Sequence, residues 1–473
     1  MMQKRRMLLR ATILLPLALL GACNTPAKIQ SSSTIKPPLV FVHGNGDTAA
    51  LWQTTLWRYE SNGWPSDRLY AIDFPYPLAR DEDDKSQAGR TSTAEQMDYL
   101  QKEVDKILET TGADKVILIA NSRGGNAVRN LVLKEYQAGP GAIKVSHAIL
   151  GGTPNHGVWA IKGFRETNEF SGTGPFLSRL NAEKNKAGDE VTGPVKWLTI
   201  RSDNNDKFAQ PDGVWIGAKG TATNITYAGP ELKGATNITI SGIDHRETSY
   251  SPAAFTASYQ FITGLAPATT EIKPESSIQL SGKVTGLGVN SSDASTGNFS
   301  NNLPLPGAHL DIYLVEDSQG KAAGSRKGSA AYSQQIGSDG KWGPFDAKPG
   351  IAYEFVIAAP GYATTHIYRS PFPRSSDIIH LRAERIADAD KGAKSIVIMT
   401  RPRGYLDSAR DNMLFDGKLP PGLPPSGAGI SASKLKLDSV EPRSISAEFN
   451  GEKVSGLTWD AQQGHLVFLE ISQ

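Results

Sequence analysis

Ser122 lies in Ile119-Ala120-Asn121-Ser122-Arg123-Gly124-Gly125-Asn126, where an apolar run ends and a helical pattern begins. A serine hydroxyl attacks a carbonyl carbon only when a base takes its proton and hydrogen-bond donors receive the resulting oxyanion. A sharp strand-turn-helix junction exposes such a serine, and the positions two before and two after it must be small to pack against neighbouring backbone. Gly124 meets that demand, and Ala120, standing where the usual pattern has glycine, adds only a methyl. No other serine in the chain has glycine or alanine two before it and glycine two after.

The base and its orienting acid should follow in the order acid, then histidine. His147, His156 and His245 follow Ser122 within the first 264 residues. His147 falls inside an apolar strand pattern and reads as packed. His156, in Thr153-Pro154-Asn155-His156-Gly157, competes as base. His245 is preferred, because Ile238 to Asp244 is a strand feeding a loop just before the last helix. For the acid, Arg201-Ser202-Asp203-Asn204-Asn205-Asp206 follows a strand, at the carboxyl end where an orienting carboxylate belongs. Asp206 is preferred over Asp203, and Asp212 reads first as a turn residue. Asp244 is adjacent to His245, and neighbouring residues rarely turn their side chains on each other. Leu39-Val40-Phe41-Val42-His43-Gly44-Asn45-Gly46 is a strand entering a glycine-rich loop, so the backbone N–H groups of Asn45 and Arg123 are the candidate oxyanion donors. His43 precedes the serine and is expected to orient that loop.

These residues need a scaffold. Short apolar runs at Leu39 to Val42, Leu69 to Phe74, Val116 to Ala120, Val145 to Leu150, Val195 to Ile200 and Asn237 to Ile240 alternate with helical patterns, which predicts an α/β domain with a mostly parallel sheet over residues 37–264. Ser92 and Glu95 form a capping box ahead of Met97, Leu100, Val104 and Ile107, and Gly112 ends that helix. A second helix is expected after Ser122, including Val128, Leu131, Val132 and Tyr136, and a third from Ser251 and Pro252 to about Ile262. A linker follows at 265–276, then a β-sandwich-like domain at 277–383 and a second β-rich region at 384–473. The segment Gly157 to Gly193 carries Trp159, Phe164, Phe170 and Phe176, and reads equally as a mobile cover over an apolar pocket or as an inserted helical subdomain. The run Asp81-Glu82-Asp83-Asp84 reads as a solvated loop, with a calcium site the weaker alternative.

A formal net charge of +2 over 473 residues, with no basic stripe, points away from nucleic acid. Residues 1–22 have the basic start and short apolar run of an export signal, and paired arginines at Arg5 and Arg6 fit either a twin-arginine or a general export route. The signal closes on Leu20-Gly21-Ala22-Cys23, which resembles a bacterial lipobox. Lipidation of Cys23, the sole cysteine, would place the exported chain at a bacterial cell envelope, with 23–36 as a tether; an ordinary signal peptide with an incidental cysteine would leave it secreted.

The V-H-G-N-G loop, the A-N-S-R-G-G turn, T-P-N-H-G and G-I-D-H-R-E-T together resemble bacterial and archaeal α/β-hydrolase lipases. The segment from Leu303 to Tyr362 is similar to transthyretin-like β-sandwich modules. The lipase resemblance implies Ser122 as nucleophile, Asp206 as acid, His245 as base, no cofactor and no metal, and an ester or lipid substrate. Asn121 departs from it, since such lipases often carry histidine there, and its side chain is expected to influence which esters are accepted. Two further readings are a depolymerase of aliphatic polyesters whose β tail grips insoluble substrate, and a surface-anchored binding protein with a silent hydrolase domain.

Overall fold

The computed structural model describes residues 36–203, 205–287, 301–316, 322–424 and 429–472. Residues 1–22, expected to be an export signal, and Cys23 lie outside the described residues. The first half comprises β1 (Leu39–Val42), α1 (Gln53–Ser61), β2 (Leu69–Ile72), β3 (Leu78–Ala79), β4 (Arg90–Thr91), α2 (Thr93–Thr111), β5 (Val116–Asn121), α3 (Arg123–Ala138), β6 (Val145–Gly151), α4 (Pro175–Leu180), β7 (Lys196–Ser202), β8 (Thr236–Ile240), α5 (Glu247–Tyr250) and α6 (Pro252–Thr263). Six of the strands form one sheet in the order β2-β1-β5-β6-β7-β8, every neighbouring pair parallel.

The unbroken apolar run of β5 reflects cover on both faces. Leu118 and Ala120 join Leu100, Val104, Val128 and Leu131 of α2 and α3 in one core. Ile117 and Ile119 join Tyr59 of α1 and Phe255 and Tyr259 of α6 in the other. The Ser92–Glu95 box forms reciprocally, and Gly112 closes α2 in the left-handed conformation. Tyr136, expected among the helical residues of α3, faces outward and is exposed. Chain order reverses between β1 and β5, which opens a crevice at their carboxyl ends.

The second half is built of strands. A seven-stranded mixed sheet contains Tyr332–Gln335, His309–Leu314, Tyr353–Ala358, Thr364–Arg369, His465–Glu470, Ser395–Thr400 and Ala432–Leu437, in that order. One part of it packs against a sheet of Lys341–Ala347, Ile278–Gly286 and Ser376–Ala383, and another against Met413–Phe415, Ser444–Phe449 and Glu452–Leu457. Thr364–Arg369 pairs in parallel with His465–Glu470, so strands before and after residue 383 share one hydrogen-bonded sheet. The expected linker is also tied down. Arg58 Nε donates to Thr270 O at 2.9 Å, Asn62 Nδ2 to Thr269 O at 2.8 Å, and the Lys273 N–H to Ser61 Oγ at 2.9 Å, all at the end of α1.

Candidate active site

The crevice between β1 and β5 brings the loop after β1 onto the turn after β5. His43 is fully buried, with Nε2 accepting the Phe74 N–H at 3.1 Å and Nδ1 directed at Gly44 O at 2.9 Å. This pairing requires a neutral ring protonated on Nδ1, and burial correspondingly pulls its pKa below the usual histidine value. His43 thus orients the loop. Gly44 comes so close to the turn that a Cβ there would lie 2.8 Å from Ser122 Cβ. Asn45 fixes the far side of the loop, its Oδ1 accepting the Ala79 N–H at 2.8 Å.

Ser122 has φ 52° and ψ −125°, a backbone state that costs a non-glycine residue about 1–3 kcal/mol and persists only when its surroundings enforce it. They do so here. Its N–H donates to Gly151 O at 2.8 Å, and α3 is pressed so tightly on β1 that a Cβ on Gly124 would lie 2.6 Å from both Val42 O and His43 O. Ala120 is buried between its partners Val42 and Leu150, so its methyl is accommodated inside the sheet. Arg123 is the first residue of α3, where a backbone N–H has no intrahelical acceptor.

The side chain of Arg123 is fully buried and pairs with Glu169 at 2.7 Å, while also donating to Pro77 O, Thr91 O and Thr91 Oγ1. Glu169 belongs to the 157–193 segment, which is further anchored by Asn168 Nδ2 on Arg80 O and Asp81 O, and by the Asp83 N–H on Thr167 O. Among the described residues the one regular helix of this segment is α4, whose Phe176, Leu177 and Leu180 pack on Leu133 of α3. Of the two readings of this segment, the helical subdomain is not what forms: turns, tied by a buried ion pair, make up most of it. Asp83, from the acidic run, caps α2 through Thr93 N at 2.7 Å.

Asp206 and His245 meet across the loops after β7 and β8. Asp206 Oδ2 lies 2.8 Å from His245 Nδ1, its Oδ1 accepts the Phe208 N–H at 2.8 Å, and both side chains are buried. Phe208 packs edge-on to the imidazole at 4.6 Å. Asp203 points elsewhere, with Oδ2 accepting the Gly242 N–H at 2.9 Å and Oδ1 the Asn205 N–H at 3.2 Å. Asp212 accepts the Val214 N–H within its own turn. His147 contacts Ser146 Oγ and the Phe261 ring, away from the crevice. His156 pairs with Glu190 at 3.1 Å.

Ser122, Asp206, His245 and Asn45 line one cavity of about 360 Å³, walled by Trp159, Phe170 and Ile225 among others. Tyr405, from the β-rich half, also lines it. Asn121 lines the same cavity. Its side chain is buried, and Nδ2 donates to His245 O at 3.2 Å and Gly151 O at 3.3 Å. It braces the backbone of the histidine loop.

An all-parallel sheet with a strained serine turn at its switch point and a histidine–carboxylate pair opposite defines an α/β hydrolase of the lipase and esterase type. Residues 36–193 match the class 2 lipase family, and residues 276–386 match the lipase C-terminal domain. The chain thus carries a class 2 lipase domain and a lipase C-terminal domain, and it is a carboxylic ester hydrolase. The class 2 match ends before Asp206 and His245. Among solved structures, a Listeria innocua gene product is 16% identical, covering 50% of this chain and 97% of its own, with a TM-score of 0.34. The Bacillus licheniformis lipase BlEst2 is 20% identical over 48% of this chain and 90% of its own, with a TM-score of 0.31. The monoacylglycerol lipase of Paleococcus ferrophilus is 13% identical over 49% and 97%, with a TM-score of 0.31.

Proposed function

We propose that this protein hydrolyses carboxylic esters through an acyl-enzyme on Ser122, with His245 as general base and Asp206 as its orienting acid. The observation that carries the reading is the 2.8 Å contact of Asp206 Oδ2 with His245 Nδ1 in the cavity that Ser122 also lines. Asp206 holds the proton of His245 on Nδ1, which leaves Nε2 free to accept the serine proton. Ser122 Oγ attacks the carbonyl carbon, and the backbone N–H groups of Asn45 and Arg123 receive the oxyanion. Collapse of the intermediate expels the alcohol, which takes the proton from His245. Water then attacks the acyl carbon by the same route and regenerates Ser122. The experiment is treatment with a fluorophosphonate during hydrolysis of a soluble nitrophenyl ester. Stoichiometric inactivation with the adduct on Ser122 is expected, and a protein fully labelled there that still hydrolyses ester would overturn the reading.

The same proposal places the enzyme outside the cytoplasm, anchored in a bacterial envelope by lipid on Cys23. Two acyl chains or a chain plus a second contact hold a protein stably to a bilayer, so the tether would keep the cavity near lipid esters. Cys23→Ala expressed in a bacterial host should move the activity from the membrane fraction to the soluble fraction. Unchanged membrane recovery after that substitution would exclude the anchor.

A further inference from the structure

The turn bearing His245 is held from outside. α5 is only four residues long and has little stability of its own. Asp244 is fully buried, and its Oδ1 accepts the Arg246 and Glu247 N–H groups, each at 2.9 Å. Its Oδ2 accepts the Tyr405 N–H at 2.8 Å and Arg401 Nη1 at 3.1 Å. Glu247 Oε2 accepts the Asp244 N–H and Arg410 Nη1, each at 2.6 Å. Arg410 Nη1 also donates to Gly242 O, and Arg246 donates to Pro402 O and to Asp47 Oδ2. Both neighbours of His245 are therefore gripped by the 401–411 segment of the β-rich half, more than 150 residues away in the chain.

The geometry points to Arg401 and Arg410 as positioning residues for the reaction at Ser122, holding the 244–247 turn so that His245 stays between Asp206 and the nucleophile. This inference rests on the triad reading above. A base on a loop contributes only if its nitrogen stays within hydrogen-bond reach of the serine, and a displacement of one ångström can cost about 10²-fold in rate. Removing the Arg401 guanidinium takes one of two cationic partners from the buried Asp244 carboxylate and from that of Glu247, and lets the turn shift. The β-rich half then completes the catalytic centre itself, and its loss of grip is felt on a small soluble ester as much as on an insoluble one.

The test uses the full chain with Arg401→Gln, Arg401→Lys and, as control, Arg443→Gln, which breaks the Arg443–Asp416 pair, neither member of which lines the cavity. Steady-state kinetics on nitrophenyl acetate and the downfield proton resonance of His245 Nδ1–H are measured on each, with thermal unfolding to establish that each is folded. Arg401→Gln is expected to lose on the order of 10²-fold in kcat with KM changed by less than about twofold, and to broaden or lose the resonance. Arg401→Lys keeps a charge beside Asp244 but loses the fork to Glu247 and Tyr405 O, so its kcat falls in between and decides the case should Arg401→Gln not fold. Arg443→Gln stays at wild type. Wild-type kcat and resonance in both Arg401 variants would overturn the inference. Absence of the resonance in the wild-type protein, or failure of the fluorophosphonate to label Ser122, would instead remove the triad reading on which it rests.

Discussion

Ser122→Ala is expected to lower kcat on a soluble nitrophenyl ester by up to about 10⁶-fold, the size of loss found when a serine nucleophile is deleted from an intact site. Alanine retains Cβ, so the φ of 52°, the N–H bond to Gly151 O and the close approach of Gly44 are all unchanged. The strain at the turn is the same in both proteins, and the unfolding temperature should scarcely move. What disappears is Oγ alone. The oxyanion donors and the cavity remain, and they can sustain about 10³–10⁴-fold acceleration over water, so the variant should retain a small rate that the fluorophosphonate no longer blocks. Initial rates and thermal unfolding on the same preparation separate the two effects. A variant hydrolysing at more than about a tenth of the wild-type rate would assign the reaction to another nucleophile.

The parallel sheet was legible because each strand is a short apolar run bounded by turn residues, and the turn at Ser122 because only small residues flank it. Position in a loop was harder to read. Asp203 and Asp206 both follow β7, and only the path of the backbone, with Phe208 N–H taking one oxygen of Asp206, turns that carboxylate toward His245. Asn121 lines the cavity as its place beside Ser122 suggests, but its amide also serves two backbone carbonyls that no local pattern reveals. Asp244, adjacent to His245, serves the backbone and Arg401 rather than the imidazole. The spacing Asp244-x-x-Glu247 nevertheless carried a signal, since the two close a reciprocal cap of the capping-box kind. Its partners Arg401 and Arg410 were hidden by sequence distance, as was the parallel pairing of Thr364–Arg369 with His465–Glu470 that joins the two β-rich segments. Contacts between remote segments leave no period in either one.

Asp206→Asn should cost about 10⁴-fold in kcat while leaving the fold intact, the loss expected when an orienting carboxylate becomes neutral and the imidazole is held as the wrong tautomer. The direction follows from the two oxygens of Asp206. Oδ1 accepts the Phe208 N–H at 2.8 Å, so asparagine must keep its carbonyl oxygen there. Its amide nitrogen then faces His245 Nδ1, where the carboxylate stood at 2.8 Å, and an N–H donor at that place requires Nδ1 to accept. The ring proton is driven to Nε2, which can no longer take the proton of Ser122. Asp203→Asn gives the contrasting result. Asp203 accepts from Gly242, Asn205 and Ser202 Oγ, so an amide nitrogen there turns a donor against a donor and lowers stability by about 1–3 kcal/mol with kcat nearly preserved. Kinetics and denaturant unfolding on the two variants therefore give opposite patterns: one loses turnover and keeps its midpoint, the other keeps turnover and loses its midpoint. Reversal of that pattern would move the orienting role to Asp203 and leave the Asp206–His245 contact as a structural one.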